Sequence, residues 1–321
     1  MLIATGVGLA FAPVALPMLA VVDLIRADRH FHSPRAYLFA LQYMINDSVE
    51  ILAAPALWAI AGFGRSLDSP ASQRRHERLQ NWSIRLLAKR AGQLLRVGVV
   101  VASGAETFDH PGPTIVLTRH CSIFDTSLPA LLYQERGFRV RGVIMAELLA
   151  DPGFDLIFGR LGSVFVPRTD GDTAKSMIAH LASDLDTSTV AAIFPEGRLF
   201  TPDRLTAAME RLRNADPDRA ERLATLTNVL PPKAGGVAAL LAGAPNADVV
   251  VIGHTGLESF RPFSLRRPQG APVTVRVHPI RYPRSTIPVG DQAIQRWLDD
   301  RWIELDLWIA DQARPDPRHL H

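Results

Sequence analysis

This chain opens with 22 residues, from Met1 to Val22, that carry no charged side chain. A run of this length is about what a helix needs to cross a bilayer, roughly 20 residues. No Lys or Arg precedes the run, as a cleaved signal peptide would require. Pro13 and Pro17 interrupt it, and membrane helices tolerate proline. The run therefore predicts an uncleaved membrane anchor.

A second apolar stretch runs from about Tyr37 to Phe63 and has a polar middle that includes Asn46, Asp47 and Glu50. Two carboxylates at the centre of a bilayer are costly. The stretch is therefore expected either as a re-entrant or interfacial helical hairpin, or as a helix whose polar side packs on protein. A buried helix of a soluble fold is the remaining alternative.

Residues 65–96 form a strongly basic segment with two acidic side chains, Asp68 and Glu77. The eight basic ones are Arg65, Arg74, Arg75, Arg78, Arg85, Lys89, Arg90 and Arg96. One interpretation is a solvated helix face. Because the segment follows a membrane-seeking stretch, the other is contact with anionic headgroups on the cytoplasmic side of a membrane.

From residue 97 onward, short runs rich in β-branched residues alternate with helical patterns. The runs predict strands at residues 98–103, 114–118, 139–144, 163–166, 189–194, 248–253 and 272–278. Strands separated by helices are typical of a parallel sheet covered by helices. The predicted fold class is α/β, with a mostly parallel central sheet of about seven strands.

These differences in sequence pattern divide the chain into four predicted segments. They are membrane-anchoring helical segments at 1–64, a basic amphipathic helical linker at 65–96, the α/β domain at 97–285, and a C-terminal helix and tail at 286–321. The charged stretch 203–228 is predicted as a helical insertion within the domain. Three tryptophans of the last helix favour core packing, with an interface as the alternative; they are Trp297, Trp302 and Trp308.

The composition excludes several classes of function. A formal net charge of +3 does not indicate a nucleic-acid-binding protein. The single cysteine, Cys121, excludes an internal disulfide and any zinc site built on several cysteines. A metal-dependent hydrolase is disfavoured because no cluster of His and carboxylate ligands has the required spacing.

The strand at 114–118 is followed by a turn that contains His120 and Asp125. Across such a turn the carboxylate can accept a hydrogen bond from one ring nitrogen and leave the other nitrogen basic. The alternative is that Asp125 only caps the following helix. Cys121 is not expected to act as a nucleophile with His120, because adjacent side chains of an extended segment point to opposite sides.

Three more segments place charged side chains at a strand end or a helix start. Strand 189–194 runs into Pro195-Glu196-Gly197-Arg198, strand 163–166 leads to Arg168, and Lys233 precedes a helix. Ligands of such sheets bind beyond the carboxyl ends of the strands. Arginines, a lysine and a helix N-terminus together favour phosphate binding.

In this order the four segments resemble the glycerolipid acyltransferase family, the 1-acylglycerol-3-phosphate acyltransferases and their relatives. His120 and Asp125 match the family's His-four-residues-Asp motif, and Ser122 matches its usual serine. The segment Phe194-Pro195-Glu196-Gly197 matches a second signature. The resemblance covers roughly residues 100–255, and the late Lys233 segment looks more like the lysocardiolipin-like branch than the compact bacterial one.

The chain departs from the family pattern at three positions. One is Ala146, because many members have a Lys just before the Glu-Leu that stands here as Glu147-Leu148. Arg119 stands where the family usually has Asn, and Arg198 directly follows Gly197 where the signature usually continues with Thr-Arg.

The resemblance implies a role for each matching residue. His120 would deprotonate a lysophospholipid hydroxyl, and Asp125 would hold the imidazole in the correct tautomer. Arg168 would bind the acceptor phosphate, and Glu196 would order the loop or the acceptor. The further substrate-binding residues would be Ser122, Gly197, Arg198 and Lys233.

The implied protein is a membrane-bound enzyme on the cytoplasmic face of the cell membrane. It would transfer an acyl group from acyl-CoA or acyl carrier protein to 1-acyl-sn-glycerol-3-phosphate and yield phosphatidate. No metal or cofactor is implied, because a thioester is already activated. The alternatives are another lysophospholipid acceptor, such as a lysocardiolipin, and a non-catalytic lipid-binding relative.

Overall fold

A computed structural model describes residues 1–150, 152–167, 170–258, 260 and 272–312. It has two compact units. The N-terminal unit comprises Met1–Val99, Glu147–Ser163 and Ser259–Val275. The sheet unit comprises Val100–Ala146, Val164–Glu258 and Arg276–His321.

Helices and strands alternate along most of the described chain. The helices are α1 (Leu2–Ile25), α2 (His32–Ile60), α3 (Pro70–Arg90), α4 (Leu128–Gln134), α5 (Pro152–Ile157), α6 (Gly171–Ala182), α7 (Pro202–Ala215), α8 (Pro217–Arg222), α9 (Ala234–Gly243) and α10 (Asp291–Gln312). The strands are β1 (Val97–Val101), β2 (Thr114–Thr118), β3 (Arg139–Met145), β4 (Val164–Val166), β5 (Thr189–Ile193), β6 (Asp248–Thr255) and β7 (Val273–Tyr282).

Helix α1 contains the uncharged run and continues through both of its prolines, Pro13 and Pro17. It has 24 residues. The most apolar 18 of them have a mean hydropathy of 2.1, and 6% of these are buried. Among the helices that the structure describes, it alone is long and apolar enough to cross a membrane. This exposed apolar helix supports membrane association.

Helix α2 is continuous from His32 to Ile60 and packs between α1 and α3. The Thr5 hydroxyl lies 2.7 Å from the Ser48 hydroxyl and donates to the Met44 carbonyl at 3.0 Å. On another side, Asn46 donates to the Ser83 hydroxyl of α3. Of the alternatives for this stretch, the structure has a helix whose polar side packs on protein. This packing gives the buried polar groups of α2 the hydrogen-bond partners that they need.

The seven strands form one sheet in the order β1-β7-β6-β2-β5-β3-β4. Strands β2 to β6 pair in parallel with one another, and β7 pairs antiparallel with β6. This confirms the predicted fold class. In the register, Thr118 of β2 pairs with Ile252 of β6, and Leu117 pairs with Ile193 of β5. The loops that follow β2, β5 and β6 therefore leave the sheet at one edge.

The core of the sheet unit contains apolar side chains of α6, α9 and α10 together with those of the central strands. Trp302 of α10 is fully buried, as the core-packing interpretation predicts, while Trp297 and Trp308 pack against the same core. Helix α10 thus shares this core, although the sequence suggested a separate C-terminal segment. The tail predicted beyond Gln312 lies outside the described residues.

Candidate active site

The turn after β2 is organised by the buried carboxylate of Asp125. Its Oδ2 accepts hydrogen bonds from the backbone N–H groups of Cys121 at 2.7 Å and Ser122 at 2.8 Å. The Ser122 hydroxyl in turn accepts from the backbone of Phe124, so the two side chains form a capping box for the short helix Ile123–Ser127. One oxygen of Asp125 therefore has the capping role that the sequence left open.

The other oxygen of Asp125 holds His120. Asp125 Oδ1 lies 2.8 Å from His120 Nδ1. Because a carboxylate only accepts, Nδ1 carries the proton and Nε2 is left with its lone pair. The imidazole also lies 4.4 Å from the ring of Phe194, measured between centroids. Asp125 is fully buried and the His120 side chain is 17% exposed, so a buried carboxylate holds a partly exposed imidazole.

Glu196, in the loop after β5, connects the His120 turn to the loop that contains Leu230. Its Oε1 accepts from the backbone N–H of His120 and its Oε2 from that of Leu230, both at 2.9 Å. Burial raises the pKa of Glu196 to about 8, against the effect of these two hydrogen bonds. Of the two predicted roles of Glu196, its contacts fit the ordering of loops.

Cationic side chains gather beside the Glu196 loop. Gly197 has a φ of +66°, a left-handed conformation that glycine adopts without strain, and it places Arg198 in an exposed position. The Lys233 amine lies 3.7 Å from where a Cβ on Gly197 would be. Burial lowers the pKa of Lys233, and the charges of Arg198 and Arg211 lower it further. Arg168, the predicted phosphate ligand, lies outside the described residues.

A model of the acyltransferase family matches residues 99–253, which include this whole turn and the Glu196 loop. These residues form a domain of the acyltransferase family. The family predicted from the four motifs is thereby confirmed. The acyltransferase is also similar to the crystal structure of the 1-acyl-sn-glycerophosphate (LPA) acyltransferase PlsC from Thermotoga maritima. The identity is 16%, the match covers 85% of this chain and 99% of that one, and the TM-score is 0.48. No curated protein sequence matches it.

The acyltransferase has a buried Arg119 where the family usually has Asn. Its guanidinium donates to the carbonyls of His254 and Asn228, both at 2.9 Å, and pairs with the carboxylate of Glu258. Glu258 also accepts from the backbone of Gly256 at 2.7 Å. Burial acts to raise the pKa of Glu258, but the Arg119 charge, the hydrogen bond from Arg119 and the backbone hydrogen bonds together outweigh it and leave the pKa lowered. Arg119 thus fastens the end of β2 to the loop after β6.

His254 is a further residue of this acyltransferase site that the sequence motifs missed. It is fully buried, and its Nε2 lies 3.2 Å from the Arg119 carbonyl and 3.7 Å from Asp125 Oδ2. Burial lowers the pKa of His254, which keeps the ring neutral. The strand pairing could have revealed it, because His254 lies two residues beyond the partner of Thr118 at the same edge of the sheet.

Cys121, Asp125 and His254 place possible metal-ligand atoms within 4.8 Å of one another. Their surroundings do not favour a cation, because the buried Arg119 charge lies close to the group and both oxygens of Asp125 already accept hydrogen bonds. Burial also raises the pKa of the Cys121 thiol, and a metal ligand must be a thiolate. We therefore assign no metal to this group, and of its three members Asp125 supports His120.

Proposed function

We propose that this acyltransferase moves a fatty acyl group from acyl-CoA or acyl-ACP to the free hydroxyl of a lysophospholipid. The proposed acceptor is 1-acyl-sn-glycerol-3-phosphate, and the product is phosphatidate. The observation that carries the proposal is the His120–Asp125 pair, a partly exposed imidazole whose Nδ1 is held at 2.8 Å by a fully buried carboxylate. A protein that only binds lipid has no need of a base prepared in this way.

In the proposed reaction the acceptor hydroxyl gives its proton to His120 Nε2. The alkoxide oxygen attacks the thioester carbonyl carbon, and the carbonyl electrons move onto oxygen. When the tetrahedral intermediate collapses, the carbon–sulfur bond breaks and the thiolate takes the proton back from Nε2. The products are the ester and the free thiol, and His120 is regenerated without any cofactor.

Asp125 supports both steps as an anion. Its carboxylate stabilises the imidazolium that forms, while its bonds to the backbone of Cys121 and Ser122 fix its position. General base catalysis of this kind contributes about 10²–10⁴-fold. Glu196 keeps the His120 backbone in place through the bond to its N–H.

The acceptor phosphate is proposed to bind at the cationic side chains beside the Glu196 loop. Arg198 is exposed there, and the Lys233 amine lies near Gly197. An arginine and a lysine are typical phosphate ligands. Arg168 completes the proposed set on the family resemblance alone. The exposed apolar surface of α1 supports the location of the enzyme at a membrane, and we place it on the cytoplasmic face.

The test is acyl transfer by the purified full chain in nanodiscs, with labelled oleoyl-CoA or oleoyl-ACP and a panel of lysophospholipids. Wild type is expected to acylate 1-acyl-sn-glycerol-3-phosphate, and His120→Ala to lose at least ~10²-fold in rate. The matched control is the neighbouring Cys121→Ser, which is expected to stay active because no thiolate is required. An active His120→Ala enzyme would remove the proposed base, and a folded but inactive Cys121→Ser enzyme would indicate a covalent acyl-enzyme.

A further inference from the structure

Helix α3 has two faces of opposite character. Its buried side is mostly polar, and the buried residues are Ser72, His76, Gln80, Ser83 and Ile84. The five exposed residues between positions 74 and 89 are Arg74, Arg78, Trp82, Arg85 and Lys89. Their spacing of three or four residues places them in one row along the helix. We call this row, four cations around one tryptophan, the α3 stripe.

The buried side determines how the stripe is oriented. Ser83 accepts a hydrogen bond from Asn46 of α2 and donates to Glu50 of the same helix. Within α3, His76 Nδ1 lies 3.0 Å from the Ser72 carbonyl. Because residues on opposite sides of a helix cannot both face α2, these contacts keep the stripe turned away from the neighbouring helix.

The charge of the stripe complements a surface rich in phosphate. No acidic residue is among its five members, and Arg and Lys are long enough to reach headgroups from a helix surface. Trp82 is 43% exposed in the middle of the row. Tryptophan is enriched at the membrane–water interface, where its ring sits at headgroup level, and a lone exposed tryptophan among cations fits that environment.

The rest of the N-terminal unit favours a bilayer over an acidic soluble partner. Helix α1 leaves most of its apolar length exposed, and Leu52 and Ile60 of α2 are exposed as well. A soluble acidic protein on the α3 stripe would leave all of this apolar surface in water. A bilayer covers apolar and cationic surface together, since hydrocarbon and anionic headgroups lie within one interface.

We propose that the α3 stripe binds anionic phospholipid headgroups and so makes the membrane attachment of this protein depend on lipid charge. The proposal goes beyond acyl transfer and does not depend on it, because it is tested by binding. Each basic residue near an anionic surface strengthens binding by about fivefold. Removal of three charges from the stripe should therefore weaken binding on the order of 10²-fold at low salt.

The test dilutes the full chain from mild detergent into vesicles and measures the bound fraction by flotation. The vesicles are pure phosphatidylcholine or phosphatidylcholine with phosphatidylglycerol, each at low and high salt. The stripe variant is Arg74→Gln/Arg78→Gln/Lys89→Gln. The matched control removes three exposed arginines of the sheet unit, as Arg213→Gln/Arg276→Gln/Arg296→Gln. A conservative variant, Arg74→Lys/Arg78→Lys, keeps the charge.

The expected result is that the stripe variant loses binding to anionic vesicles at low salt and matches wild type on phosphatidylcholine and at high salt, where charges are screened. The control variant and the lysine variant should bind like wild type. Equal losses in the stripe and control variants would overturn the proposal in favour of net charge alone. Unchanged vesicle binding together with lost binding to purified acyl carrier protein would overturn it in favour of an acidic protein partner.

Discussion

In the N-terminal unit the buried residues of α1 are Thr5 and Asp23, whereas in the sheet unit every residue of β2 and β5 is buried and most are apolar. Helix α2 likewise buries Asn46 and Glu50. At the same time, large apolar side chains of α1 and α2 stay exposed. The sheet unit thus follows the usual rule for proteins in water, whereas α1 reverses it and α2 buries polar and apolar side chains together.

The difference fits the proposed location of the N-terminal helices at a membrane. In water, burial of apolar surface drives folding, as the core of the sheet unit illustrates. In lipid there is no such drive between helices, and interhelical hydrogen bonds together with close packing associate them instead. The contacts among Thr5, Ser48, Asn46 and Ser83 are of this second kind.

The largest expected effect lies in the sheet unit, at Asp125. Asp125→Asn should lower the rate of acyl transfer by at least ~10²-fold, because an amide does not stabilise an imidazolium as a carboxylate does. The fold should persist, since Asn caps a helix about as well as Asp. The initial rate of thiol release measures the effect. The matched control is Asp216→Asn at the start of α8, which should keep full activity. Full activity in Asp125→Asn would leave Asp125 with the capping role alone.

The next effect concerns the buried charge at the end of β2. Arg119→Met should destabilise the protein by about 3 kcal/mol, because Glu258 loses the Arg119 charge and two carbonyls lose this donor. The thermal midpoint measures this loss. Arg119→Met/Glu258→Gln should recover part of it, since no unpaired charge is left. The control is Arg222→Met, which breaks an exposed pair with Asp300 and should cost under about 1 kcal/mol. An equal loss of stability in Arg119→Met and Arg222→Met would contradict the larger contribution expected of the buried Arg119 contacts.

The smallest expected effect lies in the N-terminal unit, at Ser83. Ser83→Ala removes the hydroxyl that bonds Asn46 and Glu50, and should cost about 1–2 kcal/mol because those groups stay buried. The thermal midpoint in nanodiscs measures it, with the exposed Ser183→Ala as a nearly neutral control. A neutral Ser83→Ala would mean that apolar packing alone holds α2 and α3 together, as in the sheet unit.

The fold of the sheet unit could be predicted because its signals are local. The strand at Thr114–Thr118 has the same bounds in the structure as in the sequence pattern, and strands interrupted by helices leave few alternatives to a parallel sheet. The His120–Asp125 pair could be predicted for the same reason, since both members lie in one turn.

The remaining contacts of the site had no local signal. Arg119 meets Glu258 and the His254 carbonyl across well over a hundred residues, with 135 positions between Arg119 and His254. Only the strand register brings these residues together. The polar side of α2 could be recognised from the sequence, but its partner Ser83 could not, because α2 has two possible neighbours of similar length.

The two hydrogen bonds of Glu196 have a consequence for how this protein is made. They join residues 76 and 34 positions apart, and the contact between Arg119 and His254 spans 135 positions. A ribosome adds about 5–20 residues per second, so His254 emerges on the order of ten seconds after Arg119. During most of that interval the His120 turn lacks both the Arg119 contacts and the loop of Leu230. The helices of the N-terminal region are already synthesised by then, so the nascent chain can reach a membrane before it has a finished site.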